Sequence, residues 1–325
     1  MNRKQANIII DHILANNNAD LDSGIFVPLK TSTTIGYIPR SIVGYFAEVE
    51  GFAMSPAGKL RFSENAHDFE SKCNAIRNVC DVLLQYQAIK PRNDSWGYEG
   101  RYVGGENRLS QPEFEIDRQY FQYFGFEADA AFLELRTNID GQDFILLQQR
   151  SASVIKEGQF SFTASGATKV PARDNRKSIM DQINHEISPD YKHLTNEAVE
   201  TAQVLRCKLQ DKNKPVGSKL STVFNIRTQL YSLSISQETA EGIMKVQNEE
   251  ASGYQLATPQ DIIQYCLDGT IDPMLTQSYM ASLISTGLMP QSEFVSEIKV
   301  ALEEKGGCVF ADRPSGTKMR PAPRP

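Results

Sequence analysis

Residues 128–187 place two strand-like runs, a loop of small residues and a helix in an order that few topologies accommodate. Residues 128–136 and 144–148 read as strands, and 138–141 between them carries the Asn, Asp and Gly that tight hairpin turns favour. Residues 158–170 read as a small-residue loop. Over 178–187 a helix is predicted, with Ile179, Ile183 and Ile187 at steps of four marking one buried face. Two further strands are expected over 199–209 and 220–233. The expected class is α+β: an α/β/α sandwich on a mixed sheet, preceded by a smaller α+β region.

The remaining chain supports this division. Residues 1–20 read as a short helix with Ile9, Ile13 and Leu14 on one side. Residues 25–62 suggest short strands and loops. From Ser63 to about 88 the apolar residues Phe69, Cys73, Ile76, Cys80, Leu83 and Leu84 fall at helical spacing. The stretch 91–111 is rich in breakers, so the boundary is set there: 1–110 accessory, 111–292 main domain, 293–325 a C-terminal helix and disordered tail. Thr258-Pro259-Gln260-Asp261 and Asp272-Pro273 are helix starts, with a capping side chain and Pro at the first position.

Charge and cysteine usage narrow the function classes. The chain has 34 basic and 40 acidic residues, a formal net charge of −6, which argues against a general nucleic-acid surface but leaves open a local basic groove. Cys73, Cys80, Cys207, Cys266 and Cys308 form no CxxC pair, so reduced thiols are expected rather than disulfides or a zinc site. The apolar run at 8–10 is far shorter than a membrane span, and the expectation is a soluble, cytoplasmic protein without a membrane partner.

Chemistry is concentrated in four segments: Gln148-Gln149-Arg150-Ser151, Gly158-Gln159-Phe160-Ser161-Phe162, Ala164-Ser165-Gly166, and Ile179 to Glu186 through Asp181, Gln182, Asn184 and His185. Their order resembles the Nudix hydrolases, whose motif is Gly-x5-Glu-x7-Arg-Glu-(apolar)-x-Glu-Glu-x-Gly-(apolar). More narrowly, residues 27–290 resemble the Nudix proteins related to thiamine pyrophosphokinase. Ile35-Gly36-Tyr37-Ile38-Pro39-Arg40 is similar to their "VGxIRP", Trp96 with Glu99 to "GWRxE", Gln148 to Ser151 to "QQRS", and residues 248–256 to "DGEVxxFxL".

The resemblance implies a divalent cation, Mg2+ or Mn2+, held by helix carboxylates that neutralise a diphosphate and activate water. Here the motif is eroded. Gly166 matches its first glycine, but Ala172 stands six residues on, where the family has Glu. One register, with an extra loop residue, puts Gln182, His185 and Glu186 at the three later Glu positions; the ungapped register puts Asp181, Asn184 and His185 there. Either way three carboxylates become one. Residue by residue, the resemblance assigns His185, Glu186 and Glu250 to catalysis, Arg150, Gly166 and Phe160 to substrate, and Glu186, Gln182 and Glu250 to metal. Two functions are compatible with it. One is a metal-dependent pyrophosphohydrolase of a thiamine-diphosphate-like or nucleoside-diphosphate-linked small molecule. The other is a catalytically impaired relative that binds a ligand or a protein. The bland alternative makes His185 and Glu186 the polar face of a surface helix.

Overall fold

A computed structural model describes residues 1–17, 26–30, 34–89, 101–104, 114–117, 120, 123–151, 157–167, 179, 183–211, 222–248 and 251–311. Helix α1 (Arg3–Ala15) opens on a capping box in which Asn2 and Gln5 exchange hydrogen bonds. It buries Ala6, Ile9 and Ile13, while Leu14 is only half-buried.

A smaller layer follows. Strands β1 (Phe26–Lys30) and β2 (Thr34–Pro39) lead through a short helix α2 (Val43–Phe46) to β3 (Phe52–Met54) and β4 (Leu60–Phe62), in the order β2-β1-β4-β3. Helix α3 (Phe69–Gln85) starts at an Asp68–Ser71 capping box and buries Cys73, Ile76, Val79, Cys80 and Leu83 against these strands. Phe69, expected on that face, is exposed because it is the first helical residue and its side chain precedes the packed turn. A two-stranded sheet pairs β5 (Arg101–Gly104) with β6 (Phe114–Asp117).

The larger sheet begins with the hairpin β7 (Glu127–Ile139) and β8 (Gln142–Arg150). Asp140 and Gly141 both take positive φ, 52° and 85°, in a two-residue turn whose geometry suits Gly at the second position. The order is β13-β8-β7-β12-β11-β14, with β11 (Val199–Asp211), β12 (Thr222–Ser234), β13 (Ala251–Ala257) and β14 (Cys308–Phe310). β12 runs parallel to β7 and the other pairs on this path are antiparallel, so the sheet is mixed. The expected C-terminal tail therefore includes a strand at 308–310; residues 312–325 lie outside those described.

Alternating residues divide between two apolar layers. Ala130, Phe132, Ile145, Leu147 and Leu230 face α1 together with α6 (Pro259–Asp268), α7 (Pro273–Thr286) and α8 (Val295–Glu304). Ala131, Leu133, Leu135, Leu146 and Leu233 face the other way, against Ile179, Ile183 and Ile187 and the short helices α4 (Leu194–Glu197) and α5 (Gln237–Met244). The three isoleucines are buried, as their spacing predicts, and the α/β/α arrangement on a mixed sheet stands. Within the predicted helix 178–187 the described backbone is a π-helical turn at Ile183–Ile187. α7 is buried on all sides, from Thr276 through Leu283, so it shows no amphipathic stripe.

Candidate functional site

β7 and β8 pair from Leu135↔Leu146 to Ile139↔Gln142 and then part. Into the fork enter β9 (Phe160–Ser161), paired with β8, and β10 (Ala164–Ala167), paired with β7. Thr163 stands at the vertex: its hydroxyl donates to the Leu146 carbonyl at 2.5 Å and accepts from the Leu135 amide at 3.2 Å. Thr163 is fully buried, and its side chain completes the hydrogen bonding of both diverging strands. The expected small-residue loop at 158–170 is thus, over 160–167, a pair of short strands. Gly166, expected at a turn, lies in β10 opposite Ala131.

The π-helical turn docks on this wedge. Glu186 is 5% exposed, and its carboxylate Oε2 accepts the backbone N–H of Ser165 at 3.0 Å. Its own carbonyl accepts from the Asn248 side-chain amide and from the Tyr254 hydroxyl. Asn248 is positioned in turn by the Ala251 N–H, which donates to its Oδ1 at 2.8 Å. The hydroxyls of Ser161 and Ser165 lie 3.2 Å apart. Between Tyr254 and Ser161, directly across the strands from each, sits Gln148. Two residues further along the same face comes Arg150, opposite Ala251.

Gln148 and Arg150 share one property. Gln148 is 3% exposed, and among the described residues its Nε2 meets no hydrogen-bond partner; Arg150 Nε is likewise buried and meets none among them. These are donors on the side of the sheet where the Glu186 turn packs. Strand alternation could have placed 148 and 150 on one face; the reach of Tyr254 and Asn248 to Glu186, more than sixty residues away in sequence, left no local signal.

The other assigned residues are dispersed. Glu186 turns toward β10, the direction that the gapped register gives it, whereas His185 in the same turn is exposed. Phe160 points to the opposite side of the sheet, 7% exposed in the α6–α7 core, with its ring 5.2 Å from that of Tyr265. It is brought near neither Glu186 nor Arg150, because Phe160 pairs with Gln149, whose side chain alternates away from both. Gln182, Asp181, Glu249, Glu250, Trp96 and Glu99 lie outside the described residues.

The donor set can be set against the metal that the family resemblance implies. Among the described residues no group of three or more His, Cys, Asp or Glu side chains converges to hold an ion. The one motif carboxylate, Glu186, has an oxygen already engaged by an amide N–H, and Ser161 and Gln148 are neutral. The described residues do not fit a hard divalent cation, which calls for several oxygen ligands including charged ones. Among the described residues, no helix is long and apolar enough to cross a membrane.

No family model and no curated protein matches the chain. Solved structures do. A Nudix hydrolase from M. smegmatis, RenU, is 14% identical over 52% of this chain and 92% of its own, with a TM-score of 0.34. The C. elegans Ap4A hydrolase is 12% identical over 49% of this chain and 99% of its own, TM-score 0.30. The NUDIX domain of Shewanella oneidensis NrtR, complexed with ADP ribose, is 14% identical over 49% of this chain and 96% of its own, TM-score 0.30.

Proposed function

We propose that this chain is a divergent Nudix-type protein that binds a small molecule through its diphosphate and turns it over slowly or not at all. The observation that carries the reading is the pair of buried donors, Gln148 Nε2 and Arg150 Nε, on one face of β8, neither of which meets a partner among the described residues. A buried donor without a partner costs about 1–3 kcal/mol. A phosphate oxygen would recover that cost, and the guanidinium of Arg150 would supply charge and a planar donor array. Glu186 serves this reading as a clamp, since its carboxylate fixes the π-helical turn to β10. The ligand class follows from the family resemblance: a thiamine-diphosphate-like or nucleoside-diphosphate-linked molecule.

The hydrolase reading would recruit Glu186, Gln182 and Glu250 around Mg2+ or Mn2+, with His185 orienting water. Loss of one transition-state charge contact costs about 10²–10³ in rate, and the sequence replaces two of three carboxylates. Calorimetry of the full chain with thiamine diphosphate and ADP-ribose, in chelator, is the first test. Binding is expected, weakened by about tenfold or more in Arg150→Ala, in line with the roughly 1.5–3 kcal/mol of a charged hydrogen bond. Phosphate release with Mg2+ or Mn2+ is the second, with turnover far below the common enzyme value of about 10 s⁻¹. Turnover near that value, lost in Glu186→Gln, establishes the hydrolase instead. Absence of any diphosphate binding refutes both readings.

A further inference from the structure

The smaller sheet carries a feature that the preceding reading does not use. β1 and β4 run parallel, with Leu29 opposite Leu60 and Lys30 opposite Arg61. Leu29 and Leu60 are buried in the inner layer, so Lys30 and Arg61 occupy the outer face. Lys59, just before β4, continues the β3–β4 register by pairing with Ser55, so it faces outward as Arg61 does. Neighbouring strands lie about 4.8 Å apart and alternate residues about 6.6 Å apart, so the three cations rise from a triangle of that size.

The triangle is held rigidly at Lys59. Its N–H donates to the Ser55 hydroxyl at 3.0 Å and its carbonyl accepts from the Ser55 N–H at 2.8 Å. Gly58, at φ +71°, makes the tight turn between them. The ammonium groups of Lys30 and Lys59 are neighbours: the contact between the two side chains and then their mutual repulsion hold Lys30 below the ordinary lysine range. No ion pair joins Lys30, Lys59 or Arg61 to an acid among the described residues. Like charges directly opposite one another weaken a sheet. Here three gather on two short strands of a chain whose net charge is −6.

We propose that Lys30, Lys59 and Arg61 form a binding site for the phosphoryl oxyanion of a small phosphorylated molecule, seated across β1 and β4. The triangle spans one or two linked phosphoryl groups, with the Arg61 fork meeting two oxygens and each lysine one. Nucleic acid is the weaker fit: three cations displace about three counterions, too few for a backbone tract.

The test uses the full chain and inorganic pyrophosphate at low ionic strength, followed by calorimetry and by amide NMR shifts on β1 and β4. Saturable shifts of the β1 and β4 amides are expected, weakened about tenfold by Lys59→Gln or Arg61→Gln and lost in the triple Gln variant, whatever pyrophosphate β8 still takes up. The triple variant keeps Arg150, so its retained binding of thiamine diphosphate or ADP-ribose at β8 separates this site from the one proposed above. Circular dichroism confirms that the exposed substitutions leave the fold intact; if the triple variant unfolds, pyrophosphate protection of Lys59 from acylation, read by mass spectrometry on the native chain, replaces it. Unchanged pyrophosphate-induced shifts on β1 and β4 in the variants, absence of Lys59 protection, equal affinity for sulfate, or tighter binding of a single-stranded oligonucleotide than of pyrophosphate would each overturn the assignment.

Discussion

The carboxylate of Glu186 accepts the backbone N–H of Ser165 at 3.0 Å, joining the π-helical turn to the strand that fills the β7–β8 fork. Glu186→Gln keeps an acceptor oxygen and is expected to fold with a modest loss. Glu186→Ala strands the amide and should cost about 1.5–3 kcal/mol, the range for hydrogen bonds to charged groups. Urea denaturation of the two variants checks the order; equal stability of Ala and Gln would show that the clamp contributes nothing.

Thr163 gives a second measurement. Thr163→Val keeps the shape but removes both hydroxyl bonds, leaving the Leu135 N–H and Leu146 carbonyl short of a partner at the fork. A loss of about 1–3 kcal/mol for each stranded group is expected. Thr163→Ser should restore most of it. A Val variant as stable as the parent would mean that water reaches the fork.

Glu134 concerns pH. It is 1% exposed on β7, where burial pushes its pKa above the ordinary carboxylate value; Arg136 and the Ser282 hydroxyl, 2.8 Å from Oε2, offset this in part. With the folded pKa above the unfolded one, the folded chain retains the proton longer. This stabilisation is complete below the unfolded value of about 4.3 and is lost as pH rises through the elevated folded value. Glu134→Gln should flatten the dependence of the urea midpoint on pH across that window. An unchanged slope would mean that Arg136 fully offsets the burial.

Thiol reactivity follows from burial as well. Cys73, Cys80, Cys266 and Cys308 are free and buried, and burial pushes the Cys266 and Cys308 thiols up to about 12. A thiolate is the reactive form, so these four should resist a charged disulfide reagent at neutral pH until denaturant is added. Rapid labelling of any two in the native protein, located by mass spectrometry, would contradict it.

What the sequence disclosed, and what it hid, divides along physical lines. Periodicity exposed Ile179, Ile183 and Ile187, and turn chemistry exposed the Asp140-Gly141 hairpin. Capping chemistry exposed the start of α6, where Thr258 and Asp261 exchange hydrogen bonds. The wedge was hidden, because Ser161, Ala164, Ser165 and Gly166 have loop-like composition and pair only where two other strands diverge. α7 was hard to orient because polar Thr276, Gln277, Ser278 and Ser282 are buried with its apolar residues. At the site, the resemblance grouped Glu186 and Arg150 with Phe160, which the structure places on the opposite face of the sheet. Its aromatic ring gives no sign of which sheet face it will occupy until the register with Gln149 is known.

Helix α1 packs into the larger core against α7 and α8, with Arg3 bonded to Glu297 at 2.5 Å and the Ser292 hydroxyl donating to the Met1 carbonyl. The beginning of the chain thus helps close a core built mostly from its second half. A single backbone cut between residues 104 and 114 would leave α1 on one fragment and its apolar seat, beside Met280 and Ile298, on the other. The nicked protein should elute as one particle under native conditions and come apart only in denaturant. A fragment beginning at residue 111 would bare that seat to water and should aggregate unless the first helix is added back as a peptide.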